Sequence, residues 1–193
     1  MISPYKNTIL RTHVSLPPQK ITNELRYFIN EELKKKVEGK CCEYGFISKI
    51  YNITNIQPPF IPAENPFCSI DCGVEYSCRL CLPIQNTQII AKVNKISQVL
   101  ITAENGPISI LITIDRINKN IFYVDNNGYL RYKGKDKSYL LNENDYIKIT
   151  VESVASNHKD VKIKVIGQLE NMASDSDIKF YHDQLNFDPD KAN

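Results

Sequence analysis

Val37-Glu38-Gly39-Lys40-Cys41-Cys42-Glu43-Tyr44-Gly45-Phe46-Ile47 joins two stretches of different hydrophobic period. On its N-terminal side, Ile21, Leu25, Phe28, Ile29 and Leu33 recur at helical spacing and make one apolar face. Lys34, Lys35 and Lys36 follow, where positive charge suits the negative end of a helix dipole, and Gly39 supplies the stop. On its C-terminal side, residues 46–53 are apolar and β-branched enough for a strand. Gly39 and Gly45 relieve backbone strain where the chain turns tightly. Tyr44 and Phe46 offer aromatic area suited to docking into a pocket. A hairpin whose glycines only turn the chain would use the same residues.

Further out, residues 7–16 suit a strand that Pro17-Pro18 ends. Four prolines between Gln57 and Pro66 exclude a regular element there. Val74, Tyr76, Cys78 and Leu80 alternate with Glu75, Ser77, Arg79 and Cys81, as in a half-buried strand, and Pro83 closes the first unit. The expected division is an α+β domain over 1–83, a β domain over 84–171 and an acidic, flexible tail over 172–193. In the second domain, residues 87–96, 99–103, 108–114, 146–154 and 161–166 read as strands, with a long polar excursion at 118–144 after the third. Five strands with that interruption are the layout of an OB-type β-barrel.

The bulk properties fit this reading. The chain has 193 residues, 42% of them hydrophobic and 24% charged, which suits two small globular domains. A net charge of +2 neither demands nor excludes a nucleic-acid partner, since local patches decide that. No apolar run reaches the roughly 18 residues that span a bilayer, and the N-terminal residues lack a signal-peptide pattern. The expected location is therefore intracellular, with the cysteines reduced.

The motifs in order resemble the larger stalk subunit of multisubunit DNA-directed RNA polymerases, the counterpart of the seventh subunit of eukaryotic polymerase II and of the corresponding archaeal protein. Glu38-Gly39-Lys40-Cys41 and Tyr44-Gly45-Phe46-Ile47 match that family's tip loop. Val93-Asn94-Lys95-Ile96 with Glu104-Asn105-Gly106-Pro107-Ile108 resembles its first barrel strands. Ile147-Lys148-Ile149 and Ile166-Gly167-Gln168-Leu169 resemble its closing strands. The resemblance covers about residues 7–171. It implies an N-terminal RNP-like α+β domain, a C-terminal OB-type barrel and a non-catalytic role without a cofactor. By resemblance, Glu38, Gly39, Tyr44, Gly45 and Phe46 would plug against the polymerase core. Partners would be the large and other core subunits, a small helical stalk partner and nascent single-stranded RNA. The heavy use of Ile, Asn and Lys suggests an AT-rich coding sequence, and with it a divergent version from a large DNA virus. The site of action would be the nucleus if cellular, or a virion or cytoplasmic factory if viral.

One departure moves the expected RNA contacts. Many RNA-binding OB barrels stack bases on aromatics of the second and third strands. Here those strands carry Val99, Leu100, Ile101, Ile108, Ile110, Leu111 and Ile112. The excursion instead interleaves Tyr129, Arg131, Tyr132, Lys133 and Lys135 with further basic residues and tyrosines, which suits phosphate neutralisation and base stacking. Lys92 and Lys95 near the barrel mouth would extend the path. A solvated loop with a few core tyrosines would have a similar composition.

Cys68, Cys72, Cys78 and Cys81 raise a zinc alternative. Against it, Cys78 and Cys81 lie three apart on an alternating strand, so their side chains point to opposite faces. His13, His158 and His182 are scattered, and no nucleophile motif, phosphate loop or metal-binding carboxylate cluster stands out. A free-standing OB-fold RNA-binding or translation factor would use the barrel alike but has no reason for the tip motif.

Overall fold

The computed structural model describes residues 2–63, 68–125, 128–133 and 138–187. The chain is mostly β and divides into two compact units. One comprises Tyr5–Leu82 together with Asn157–Val161, and the other holds residues 83–156 and those from 162 onward, with the first few residues of the chain.

The N-terminal unit is an antiparallel four-stranded sheet with one helix on it. Its elements are β1 (Tyr5–Leu16), α1 (Leu25–Val37), β2 (Lys40–Cys42), β3 (Gly45–Ile56) and β4 (Ile70–Cys81), in sheet order β1-β4-β3-β2. Val14 and Leu16 of β1, Ile47, Ile50 and Ile53 of β3, and alternate residues Cys72 to Leu80 of β4 face α1. Ile29 and Leu33 fill the helix side of this core, with Leu25 and Phe28 packed against it. The apolar spacing read from the sequence is thus the buried stripe of α1, except that Ile21 lies outside the helix. There the Glu24 N–H is accepted by the Thr22 hydroxyl in a local turn, and Ile21 is 44% exposed. Such side-chain bonds compete with helical ones and delay the helix start.

The second unit is built on a closed barrel of β5 (Gln88–Ile96), β6 (Leu100–Asn105), β7 (Ile108–Thr113), β11 (Tyr146–Ala155) and β12 (Ile163–Met172). The strands run β5-β6-β7-β12-β11 and return to β5, with β7–β12 parallel and every other pair antiparallel. This is consistent with an OB-type barrel. Ile108, Ile110 and Ile112 point inward from β7, and Ile147, Ile149 and Val151 from β11, at strict alternation. Bulges at Val93/Lys95, Lys148/Ile149 and Val151/Ser153 add the bend that closure requires.

Two segments carry more structure than their polar sequences suggest. The excursion contains β8 (Phe122–Val124), β9 (Leu130–Lys133) and β10 (Ser138–Leu140), which form a small antiparallel sheet. Phe122, Leu130 and Leu141 are buried and anchor it. Within the expected tail, Asp175–Leu185 form helix α2. Ser174 and Asp177 cap it reciprocally, Tyr181 is 5% exposed, and Tyr146 packs edge-on against Tyr181 at 5.1 Å. An amphipathic helix with a cap and an aromatic anchor orders what its acidity alone would leave solvated. Among the described residues no helix is long and apolar enough to cross a membrane.

The cap makes α2 acid-sensitive. Burial alone would raise the Asp177 carboxyl, but hydrogen bonds from Lys148 and Ser174 outweigh it and hold the group at about 2, below the usual 3.8. A depressed carboxyl stabilises the fold above its unfolded value and loses that contribution as pH falls through the folded one. We therefore expect α2 to loosen between about pH 4 and pH 2. Tyr181 and Tyr146 near-ultraviolet ellipticity should report it, and Asp177→Asn should remove that acid step.

Candidate functional site

The tip hairpin is assembled from helix end, glycine and short strand. Glu38 caps α1 with extended backbone, its N–H donating to Lys34 O at 3.0 Å. Lys40 Nζ reaches back to Lys35 O at 2.6 Å and Lys36 O at 3.2 Å, satisfying carbonyls the helix end would orphan. Gly39 then adopts φ +73°, and its N–H donates to Ile47 O at 2.8 Å. Lys40, Cys41 and Cys42 pair with Ile47, Phe46 and Gly45, so that Glu43 and Tyr44 form a two-residue turn. The Cys41 backbone is also paired with Lys159 and Asp160, whose segment belongs to this unit.

The five residues expected at the tip therefore have different positions. Gly39 and Gly45 shape the backbone. Glu38 is half-buried at the helix cap. Phe46 turns inward and is 8% exposed. Tyr44 is the outward aromatic, at 54% exposure, and a hydrogen bond with Glu43 raises its phenol above the ordinary value.

In the excursion, Arg131, Tyr132 and Lys133 sit on β9, with Tyr123 opposite Arg131. Arg131 Nε donates to Asp125 Oδ2 at 2.8 Å, so this guanidinium is engaged within the loop. Tyr132 stacks on Tyr139 at 5.4 Å and tilts against Phe122 at 6.3 Å. Tyr129 is 58% exposed, and Lys133 is exposed. Lys135 lies outside the described residues. Lys92 is half-buried in β5, and Lys95 is exposed near its end. A cleft of about 390 Å³ joins the end of β5 to the small sheet, lined in part by Ser97, Gln98, Tyr129, Leu140, Asn142 and Glu143. No motif marks it, because it is made by a β5–β6 turn and an excursion far apart in the chain.

The cysteines are separated by the strand. Cys72 and Cys78 lie in the apolar core on one face of β4. Cys81 is buried outside that cluster and hydrogen-bonded with Tyr5, and Cys68 is exposed. Burial pushes the Cys78 thiol up to about 11 and the Cys81 thiol to about 12, as for small apolar side chains in a core. Among the described residues no group of three or more His, Cys, Asp or Glu is placed to hold a metal.

No family model matches this sequence. A protein of Acanthamoeba polyphaga mimivirus named "Putative DNA-directed RNA polymerase subunit" is similar to it, at 31% identity over 182 residues, covering 94% of this chain and 90% of the relative.

Proposed function

The chain belongs to the DNA-directed RNA polymerase subunit family of its mimivirus relative, and from that premise we propose that it is the larger stalk subunit of such a polymerase. The observation that carries this reading is the hairpin at the end of α1, with Tyr44 turned outward, in a chain that also bears a five-stranded barrel. On this reading the helix-on-sheet unit is the RNP-like domain and the barrel the OB domain. The role is non-catalytic: the chain docks on the large polymerase subunits through its tip and pairs with a small helical stalk partner. The viral relative suits a place in a virion or a cytoplasmic viral factory. A free-standing RNA-binding factor would need the barrel but not the tip.

The test is copurification. Tagged wild-type chain should bring down the large polymerase subunits. Tyr44→Asp, a change at an exposed turn, should reduce their recovery about tenfold while the circular dichroism spectrum stays that of wild type. Undiminished recovery would remove Tyr44 from the docking contact, and no recovery with wild type would leave the free-standing factor.

The RNA role rests on the excursion and on Lys92 and Lys95 at β5. Because Arg131 is tied to Asp125, reversing it would also disturb the loop, so Lys133→Glu is the cleaner probe. It should lower crosslinking to nascent RNA several-fold at low salt and flatten the salt dependence, as expected for a lost phosphate contact. Unchanged crosslinking would clear β9 of the role.

A further inference from the structure

The tip depends on a very short strand. β2 has three residues, Lys40–Cys42, and only β3 beside it in the sheet. Two strands paired over so short a length hold together poorly by themselves. Both backbone groups of Cys41, however, are taken by a segment far away in the chain. The Cys41 N–H donates to Asp160 O at 2.8 Å, and its carbonyl accepts the Lys159 N–H at 2.9 Å. Asn157–Val161, which carries both partners, belongs to the N-terminal unit.

That segment is itself closed. The Asp160 N–H donates to Asn157 O at 3.1 Å, and the Asn157 N–H donates to Asp160 Oδ2 at 3.0 Å. Lys159 adopts φ +70°, a left-handed conformation that a lysine keeps only where its surroundings over-determine it. Asp160 is thus used twice: its carboxylate closes the turn and its carbonyl holds Cys41. Burial raises the Cys41 thiol above its ordinary value, and the nearby Asp160 carboxylate adds to the rise. His158 and Lys159 are exposed and line a common hollow with Cys42, Glu43 and Tyr44. The two turns therefore stand side by side.

We propose that the docking tip is made of two turns, Glu43–Tyr44 and Asn157–Asp160, and that Asp160 positions the first by closing the second. With β3 on one edge and this turn on the other, β2 is held on both sides, and Tyr44 is presented in one direction. A docking aromatic that is ordered in advance loses less freedom on binding. The inference rests on the reading that Tyr44 docks on the polymerase, and adds to it a residue that no tip motif includes.

Amide exchange of the full chain and copurification test it together. Asp160→Ala keeps the backbone carbonyl but removes the closing carboxylate. Exchange at the Cys41 and Lys159 amides, the two donors between turn and strand, should speed up about tenfold, with the urea midpoint near that of wild type. Recovery of the large polymerase subunits by the tagged chain should fall several-fold. Asp160→Asn, whose side-chain oxygen still accepts the Asn157 N–H, should restore both readings. Lys159→Gly, at ease with positive φ, should keep both. Val161→Ala, at an exposed neighbour, should change neither. Unchanged exchange in Asp160→Ala would overturn the proposal, because the carboxylate would then not hold the turn. Faster exchange with undiminished recovery would sink it too, leaving Asp160 a structural residue alone. No recovery with wild-type chain removes the stalk reading instead, and exchange then still decides whether Asp160 positions the hairpin.

Discussion

Gly45→Ala is expected to destabilise the N-terminal unit by roughly 3 kcal/mol and, on the proposed reading, to abolish docking through the tip. Gly45 has φ +134°, a conformation that L side chains rarely adopt. A Cβ built there would sit 2.6 Å from the Cys81 carbonyl oxygen, a backbone atom of the neighbouring central strand. Neither problem is relieved by turning a side chain. The hairpin would have to lift off β4 at the pair between Phe46 and Cys81, which also exposes Phe46. Gly39→Ala is the control, since Gly39 has φ +73° but nothing within 4 Å of an added Cβ. It should cost about 1 kcal/mol, the left-handed penalty alone. Urea denaturation of both variants measures the difference. Equal costs would mean that the close approach to Cys81 relaxes freely and that the tip is not held by it.

The contrast between the two glycines shows where sequence reasoning stops. Both were legible as turn residues, because glycine between a helix pattern and a strand pattern has few other uses. That only Gly45 lies against another strand depends on Cys81, which meets it through sheet pairing and not through local order. The same limit applies to Tyr44 and Phe46. Adjacent to the same glycine, they read as equivalent aromatics, yet Tyr44 sits in the turn and faces solvent while Phe46 lies within β3 and turns inward. The barrel was easier, since β-branched residues at every second position announce both strand and inner face. In the excursion, the run of bases and tyrosines was visible, but the Arg131–Asp125 pair that occupies one of those bases was not. Ser174 with Asp177 three residues later is an N-terminal capping pattern, and it could have predicted α2 had the acidity of the segment not dominated the reading.

Tyr76→Ala is expected to cost about 3–5 kcal/mol, the range for emptying a large aromatic from a packed core. Tyr76 is 2% exposed at the middle of β4, paired with Leu10 of β1 on one side and Ile53 of β3 on the other. Its burial raises the phenol, so the group stays neutral across the physiological range. Truncation would leave a void continuous with a cavity of about 260 Å³ that the same side chain lines together with Leu10, Val37 and Ile47. Tyr76→Phe keeps the ring and removes only the hydroxyl, and should cost less than about 1.5 kcal/mol. The pair separates the contribution of the ring from that of its hydroxyl. If the ring carries the stability, Tyr76→Phe keeps a urea midpoint near that of wild type. A Tyr76→Ala chain as stable as wild type would mean that the sheet end closes over the gap.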